Sequence, residues 1–459
     1  GERLCPTKRP QYRTPIVNAP SSAPTSMDLL QSLHPREVNA RDVLLFEGVP
    51  LHVIAAVAGT PCWITGAGTL RRRANALKAA FEARNLPVHF HFAMKSQDHQ
   101  ATLTILRDCG YGVDIVSGGE MTRALHAGIA PDEIVFSGVG KSDLELRAAV
   151  EREIRQINVE SVEELHRLNE IARACGKVAR AALRVNPDVD AQTHDKISTG
   201  RAGDKFGIEH RRAVELYAEA ATLDHVQLIG LAVHLGSQML TAEPFRQGYS
   251  RLADMVREIR AAGHTVETID CGGGLGIRYK DEVAPPPEML AGVIAETLGD
   301  LDVALSIEPG RWLSAPTGVL LSRVIETKAG NPDFVVIDAA MNDLARPALY
   351  DSWHGILPVA PAAFSDALKP WDVVGPVCES SDIFAKDRIL PASLKRGDLV
   401  ALLDTGAYGS VMSSTYNSRP FAAQVLVDNG RWEIIRQRQT VEDLIAAETV
   451  PDWLLPAHG

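Results

Sequence analysis

From Val88 onward, short β-prone runs alternate with longer stretches in which apolar residues recur every three or four positions. The apolar runs are Val88–Met94, Gly112–Val116, Glu133–Phe136, Gln156–Val159, Ala181–Val185, Val226–Val233, Val266–Asp270 and Val303–Ile307. Between them, Gly119–Ala127, Val162–Cys175, Arg212–Leu223 and Phe245–Ala262 carry the helical period. Eight βα units in series predict a parallel sheet, and each run stops beside a residue with chemical potential: Lys95, Ser117, Ser137, Asn158 or Glu160, Arg184, His234, Gly272 and Glu308. A closed (β/α)8 barrel explains that clustering, because its C-terminal strand ends converge on one mouth. An open doubly wound sheet is the alternative, but no Gly-x-Gly-x-x-Gly turn follows the first run.

After about Arg311 the rhythm changes. Strand-like pieces at Gly318–Val324, Asp333–Val336, Leu399–Leu403 and Phe421–Val427 are separated by turns and prolines, with little helical pattern before Val441–Ala447. This predicts a mostly β second domain, a barrel or sandwich, at residues 313–459 behind a barrel at 62–312. Leu44–Val57 is apolar and outside the eight-unit count, so residues 27–61 are assigned to the β domain.

Length and composition narrow the partners. A barrel of ~250 residues leaves room for a second domain in 459. The balance of 47 basic against 58 acidic residues gives no reason to expect nucleic acid. No stretch reaches the ~20 apolar residues that cross a bilayer. The six cysteines are scattered, without a C-x-x-C pair or zinc-ligand spacing, which suits a reducing, cytoplasmic setting and predicts no metal. Residues 1–26, rich in Pro and Ser and basic overall, lack the apolar segment of a secretory signal and read as a disordered leader or a cloning scar; organellar targeting is the less favoured reading.

Three features suggest an aldehyde cofactor. Lys95 closes an apolar run, where an amine can form a Schiff base; Gly272-Gly273-Gly274-Leu275-Gly276 lets backbone N–H groups close on a phosphate; and Glu308 offers a carboxylate for a ring nitrogen. These are the handles of pyridoxal 5'-phosphate. Each residue also has a plainer reading: Lys95 as a strand-closing charge, the glycines as a flexible turn, His234 as a satisfied core histidine, Glu308 as a partner for Arg311, and Cys378 as an inert thiol. At a barrel mouth, desolvated and beside other cations, Lys95 is expected to have its pKa drawn toward neutrality. Ser237, Gly310 and Tyr408 add donors for the phosphate, while Arg346 and Tyr350 make a carboxylate receptor.

The chain resembles the diaminopimelate decarboxylases, a pyridoxal-phosphate-dependent fold type III family that also holds eukaryotic-type ornithine decarboxylases. The resemblance rests on Phe92-Ala93-Met94-Lys95, Asp114 to Glu120, Ser198-Thr199-Gly200 with Lys205-Phe206-Gly207, His234-Leu235-Gly236-Ser237-Gln238, Gly272 to Gly276, Glu308-Pro309-Gly310-Arg311, Arg346 to Tyr350, Cys378-Glu379-Ser380 and Gly406 to Gly409, in family order from about Val38 to Leu444. It implies that Lys95 carries the cofactor, that His234 stacks on its ring and that Glu308 meets the pyridine nitrogen. Asp114, Gly272 and Gly273 would complete the cofactor-binding set, with Ser237, Gly274, Gly310 and Tyr408 on the phosphate and Arg311 beside them. Arg311, Arg346, Tyr350 and Tyr408 would meet the substrate. Cys378 and Glu379 would come from the second chain of a homodimer, Glu379 receiving the remote ammonium.

The reaction implied is loss of CO2 from meso-2,6-diaminopimelate to give L-lysine. Either Cys378 or Lys95 would return the proton. The chain departs from the family pattern at Ser96-Gln97, where Ala-Asn is usual, and at Cys62–Ala67, which leaves open a paralogue acting on another D-configured amino acid or a biosynthetic intermediate. A racemase would need a cation where Glu308 stands, and a non-catalytic binding protein would not need Lys95, Arg346, Cys378 and Glu379 together.

Overall fold

The protein is described by a computed structural model covering residues 36–38, 44–189, 206–360 and 367–454. The leader at 1–26, Ser198-Thr199-Gly200 and Lys205 lie outside the described residues.

The eight apolar runs form eight parallel strands: β1 (Val88–Ala93), β2 (Gly112–Ile115), β3 (Ile134–Phe136), β4 (Gln156–Val159), β5 (Ala179–Asn186), β6 (Val226–Ala232), β7 (Thr268–Asp270) and β8 (Ala304–Ile307). Each pairs with the next, and β8 returns to β1 through Leu305↔Val88, Ser306↔His89 and Ile307↔Phe90, closing the barrel. Alternation along β1 shows why the sheet closes this way. Phe90 and Phe92 belong to the apolar cluster with Phe81, and Phe90 meets Phe81 edge-on at 5.6 Å. His89 and His91, at the opposite parity, belong to the other face of the strand.

Several of the barrel helices begin where the sequence supplies a serine cap. Ser117, Ser142 and Ser161 each accept a hydrogen bond from the backbone N–H of the Glu three residues on, at 3.1, 3.3 and 3.1 Å. Each such cap is worth about 1 kcal/mol. It also stops the preceding loop at a fixed point, which holds the strand ends in register. Among the described residues no helix is long and apolar enough to cross a membrane.

Beyond Arg311 the chain builds a second sheet around the long strand β9 (Gly318–Lys328). It includes Phe334–Ile337, Leu368–Val374, Ile383–Pro391, Leu399–Leu403, Ala423–Asp428 and Arg431–Arg436. Cys62–Gly66, expected as the entry to the barrel, is instead a strand of this sheet. It runs antiparallel to β9 and parallel to Ala423–Asp428. The barrel therefore starts with the helix Ala67–Glu82, five residues later than the expected 62. The reason is that all five residues of CWITG are buried, as a central strand requires and a barrel-entry loop does not. Leu44, Phe46, Leu51 and Ile54 pack with Ile64, Val319, Leu403 and Val425 in the core of this domain.

Ile64 is 1 % exposed and lies between Val319 on one neighbour strand and Val425 on the other. Ile64→Ala is expected to destabilise the protein by about 2–5 kcal/mol, seen as a fall in the urea unfolding midpoint of the β domain; an unshifted midpoint would contradict this packing.

Candidate active site

The strand ends and the β domain together enclose a cavity of about 250 Å³, lined among others by Lys95, Asp114, Asn158, Arg184, His234, Ser237, Glu308, Arg311, Arg346, Tyr350 and Tyr408. Lys95 sits in a short 3-10 turn, Met94–Ser96, directly after β1. That turn is tied to the β domain, since the Tyr408 N–H donates to the Ser96 carbonyl at 2.9 Å. The Ser96 hydroxyl, buried, donates to the Ala93 carbonyl at 2.8 Å and accepts from Ser314 at 3.2 Å, so the departure from Ala-Asn at 96 and 97 adds a brace behind the lysine.

Lys95 Nζ is 2.9 Å from Asp114 Oδ2, and Asp114 is wholly buried. Burial pulls the Lys95 ammonium down, but the charges of Asp114, Tyr408 and Glu308 and the bond to Asp114 more than offset it, so its pKa is raised. The direction is opposite to the one expected from the sequence. An ion pair at ~4 Å in an effective dielectric of ~20 is worth roughly 4 kcal/mol, or about three pKa units, enough to overcome a partial desolvation. The neighbours that decide the sign are acids, not cations.

Glu308 follows β8 and is buried with Asp270, the last residue of β7. Burial first, then the charges of Asp114 and Asp270 and a hydrogen bond to Asp270, push the Glu308 carboxyl well up. Asp270 is raised too, chiefly by burial. Burial and their mutual proximity thus favour the protonated form of the pair more than in an exposed carboxyl. Glu308 bonds to Asp270, while Arg311 bonds elsewhere, so the plainer Glu308–Arg311 pairing does not form. Glu308 Oε1 and Asp114 Oδ1 are buried with no hydrogen-bond partner among the described residues.

His234, just past β6, accepts from the Gly273 N–H on Nδ1 at 3.3 Å, and burial with Lys95 and Arg184 nearby holds the imidazole well below its usual pKa, hence neutral. The glycine turn after β7 is required sterically. Gly272 has φ +66 and a Cβ there would lie 2.1 Å from the Val233 carbonyl oxygen; Gly274 has φ +109 and its Cβ would meet the Gly236 carbonyl oxygen at 2.6 Å.

Arg311, just after Gly310, donates from Nη2 to Ser237 Oγ at 3.0 Å and from Nη1 to the Tyr279 hydroxyl at 2.8 Å. Arg346 and Tyr350 begin and end the short helix Arg346–Tyr350. Neither Arg311 nor Arg346 forms an ion pair within the described residues, although both are buried.

Cys378 and Glu379 do not reach this cavity. Cys378 is exposed, its N–H donating to Asn417 Oδ1 at 2.9 Å, and Glu379 accepts from the Tyr416 hydroxyl at 3.1 Å. Three residues escaped the sequence reading: Asp270, Tyr279 and His354. Asp270 lies in the last strand position before the glycine turn, a signal open to reading; Tyr279 and His354 lie in unpatterned loops.

Residues 67–315 match the family described as "Pyridoxal-dependent decarboxylase, pyridoxal binding domain". The chain is 45 % identical over 418 residues to a diaminopimelate decarboxylase of Zymomonas mobilis, covering 90 % of this chain and 98 % of that one. The chain belongs to the diaminopimelate decarboxylase family. A solved diaminopimelate decarboxylase from Helicobacter pylori, complexed with L-lysine, is 37 % identical, with a TM-score of 0.83 over 86 % of this chain and 98 % of that chain. One from M. jannaschii, also complexed with L-lysine, is 34 % identical, with a TM-score of 0.87 over 92 % and 99 %. A lysine/ornithine decarboxylase from Vibrio vulnificus, 22 % identical with a TM-score of 0.71 over 83 % and 98 %, shares the fold.

A pyridoxal-type cofactor fits these residues: an amine at a strand end, a glycine turn that admits no side chain, and a buried Glu308 oxygen without a partner among the described residues. Asp114→Asn removes the charge that most raises the Lys95 pKa, so the amine is expected to deprotonate at lower pH than in the wild type. Acetylation of Lys95 by acetic anhydride across pH, read by peptide mass spectrometry on cofactor-free protein, measures it; an equal or higher midpoint would contradict the ion pair.

Proposed function

We propose that the protein is a pyridoxal 5'-phosphate-dependent carboxy-lyase that converts meso-2,6-diaminopimelate to L-lysine and CO2. The observation that carries this reading is a pair of buried guanidiniums, Arg311 and Arg346, facing the lysine's cavity without an ion-pair partner among the described residues. A buried cation of this kind favours a ligand that brings an anion. Free lysine or ornithine as substrate brings one carboxylate, which is the one lost; diaminopimelate brings a second that stays. Because the product is L-lysine, the L centre of the meso compound is retained and the carboxylate of the D centre leaves.

When bound, the cofactor supplies an aldehyde for the substrate amine and a ring that accepts the electron pair released as CO2 departs. Lys95 is the amine that holds the cofactor and yields to the substrate, and Asp114 takes up its positive charge once it is free. Glu308, its carboxyl pushed well up by burial, would hold a proton at the ring nitrogen. His234, neutral and pinned by Gly273, offers a flat face to the ring without adding charge. Ser237, Gly274, Gly310 and Tyr408 bind the phosphate, with Asp114, Gly272 and Gly273 bordering the cofactor. Arg346, Arg311 and Tyr350 hold the remote carboxylate. One proton is consumed for each CO2 lost, and it returns to the substrate from Lys95 or from Cys378.

Cys378 and Glu379 complete the site from the second chain of a homodimer in this reading; their distance from their own chain's cavity supports it, as does the family to which the chain belongs.

With meso-diaminopimelate, D-lysine, L-lysine and L-ornithine offered separately, CO2 is expected from the first far more than from the others, and Lys95→Ala abolishes it. Arg346→Ala is expected to lower kcat/KM for diaminopimelate by roughly 30-fold or more, the ~2–5 kcal/mol lost on truncating a buried charge pair, with the cofactor absorbance retained. Unchanged kcat/KM would sink the carboxylate assignment. Mixing inactive Lys95→Ala and Cys378→Ala subunits should restore part of the activity, since one of the two hybrid sites is intact. No recovery after demonstrated subunit exchange speaks against a shared site.

A further inference from the structure

We propose that His354 is a positioning residue for substrate selection: a neutral hydrogen-bond acceptor that aims the Arg346 guanidinium into the cavity without cancelling its charge. The proposal rests on the reading of Arg346 as the partner of the remote carboxylate.

His354 is 1 % exposed and lies four residues beyond Tyr350. Its Nδ1 is 2.8 Å from the carbonyl oxygen of Leu403, which can only accept, so Nδ1 carries the proton. Nε2 then has its lone pair free, and Arg346 Nη1 donates to it at 2.8 Å. Burial, with Arg346 close by, pushes the imidazole down to about 3, so a second proton does not enter. The tautomer is set by a rigid element. Leu403 ends the strand Leu399–Leu403, is paired with Val319 of β9, and its own N–H donates to the Gly355 carbonyl at 2.9 Å.

Tyr279 completes the clamp without a formal charge. Its ring meets His354 edge-on at 5.5 Å, the Arg346 guanidinium lies 4.7 Å from its centroid, and its hydroxyl accepts from Arg311 Nη1. Both guanidiniums are thus oriented by a neutral imidazole, phenols and the Ser237 hydroxyl. A carboxylate at position 354 would hold Arg346 as firmly, and would also neutralise it. An arginine already paired gives little to an incoming anion, whereas one held by a neutral acceptor keeps its charge for the ligand while losing its rotational freedom beforehand.

The test uses cofactor-loaded holoenzyme, His354→Gln and His354→Glu. Two ligands serve as competitive inhibitors: L-lysine, which keeps the remote carboxylate, and 1,5-diaminopentane, which has none. Gln can place an amide oxygen where Nε2 stood, so KM for meso-diaminopimelate and the L-lysine inhibition constant are expected to rise less than about tenfold. Glu is expected to raise both by about 100-fold, with kcat falling far less and 1,5-diaminopentane inhibition shifted less than about threefold. If His354→Glu does not fold, His354→Phe replaces it; losing the acceptor but not the ring, it is expected to raise both constants more than Gln does. Equal loss for Gln and the replacement, or parallel weakening of L-lysine and 1,5-diaminopentane, overturns the proposal in favour of a structural role. Arg346→Ala separates the two levels. If it weakens L-lysine while His354→Glu does not, only the role of His354 falls; if it leaves L-lysine binding unchanged, the carboxylate reading falls with it.

Discussion

Three acids and one amine share the mouth of the barrel, and the rest of the site follows from that imbalance. Asp114, Asp270 and Glu308 are each buried, and the charge of Lys95 acts on Asp114 and Glu308. One ammonium cannot neutralise three carboxylates in a medium of low polarity, so the protonated form is favoured where compensation is poorest. Glu308 is pushed well up in this way, by burial first and then by Asp114 and Asp270. The cluster therefore has two ends: an ion pair between Lys95 and Asp114 at 2.9 Å, and the Glu308–Asp270 carboxyl pair, both of raised pKa.

Such a cluster has to be held up from below. Asn158 Nδ2 lies 3.4 Å from Asp270 Oδ2 and 3.1 Å from Ser137 Oγ, and the Asn158 oxygen accepts from Gln156 at 2.7 Å. Gln156 in turn accepts from Thr268 at 3.4 Å. These side chains come from strands β4 and β7 and from Ser137, directly after β3, so the polar ladder ties the acids to three separate parts of the barrel wall. An apolar filling would have packed as well but would have left Asp270 with one partner fewer, at a cost of about 1–3 kcal/mol for an unsatisfied buried group.

The sequence carried most of the scaffold because strand ends in a parallel barrel are also its active-site positions. Eight apolar runs gave eight strands, and Lys95, His234, Ser237, Glu308, Arg311, Arg346, Tyr350 and Tyr408 do border one cavity. What it could not carry is adjacency around the barrel. The sign of the Lys95 shift depends on Asp114, 19 residues away on the neighbouring strand, and no periodicity reports that. Cys62–Gly66 reads like any buried parallel strand, and only its partners, Gly318 to Leu321 and Ala423 to Val427, assign it to the second sheet. Leu368–Val374 and Ile383–Pro391 are interrupted by prolines and charges, which hid them. His354 is one imidazole in a loop; its meaning comes from a carbonyl 49 residues later.

The two sheets divide the electrostatic work. The acids all stand on barrel strands or immediately after one, while Arg346 and the histidine that aims it come from the β domain, and Arg311 sits where the chain crosses from one to the other. The groups acting most strongly on Lys95 are Asp114, Tyr408 and Glu308; those acting on Arg311 are tyrosines, and those acting on Arg346 are tyrosines and Arg311. Were an acid of the barrel cluster to reach Arg346, both poles would cancel and the cavity would lose its preference for a ligand charged at two ends. Tyr279 and Tyr408 prevent that collapse. They lie against the guanidiniums, filling the space a counter-ion would take with polarisable but uncharged rings. A dicarboxylate with an amine at its reacting end matches both poles at once, which a simple diamine or a simple diacid cannot do.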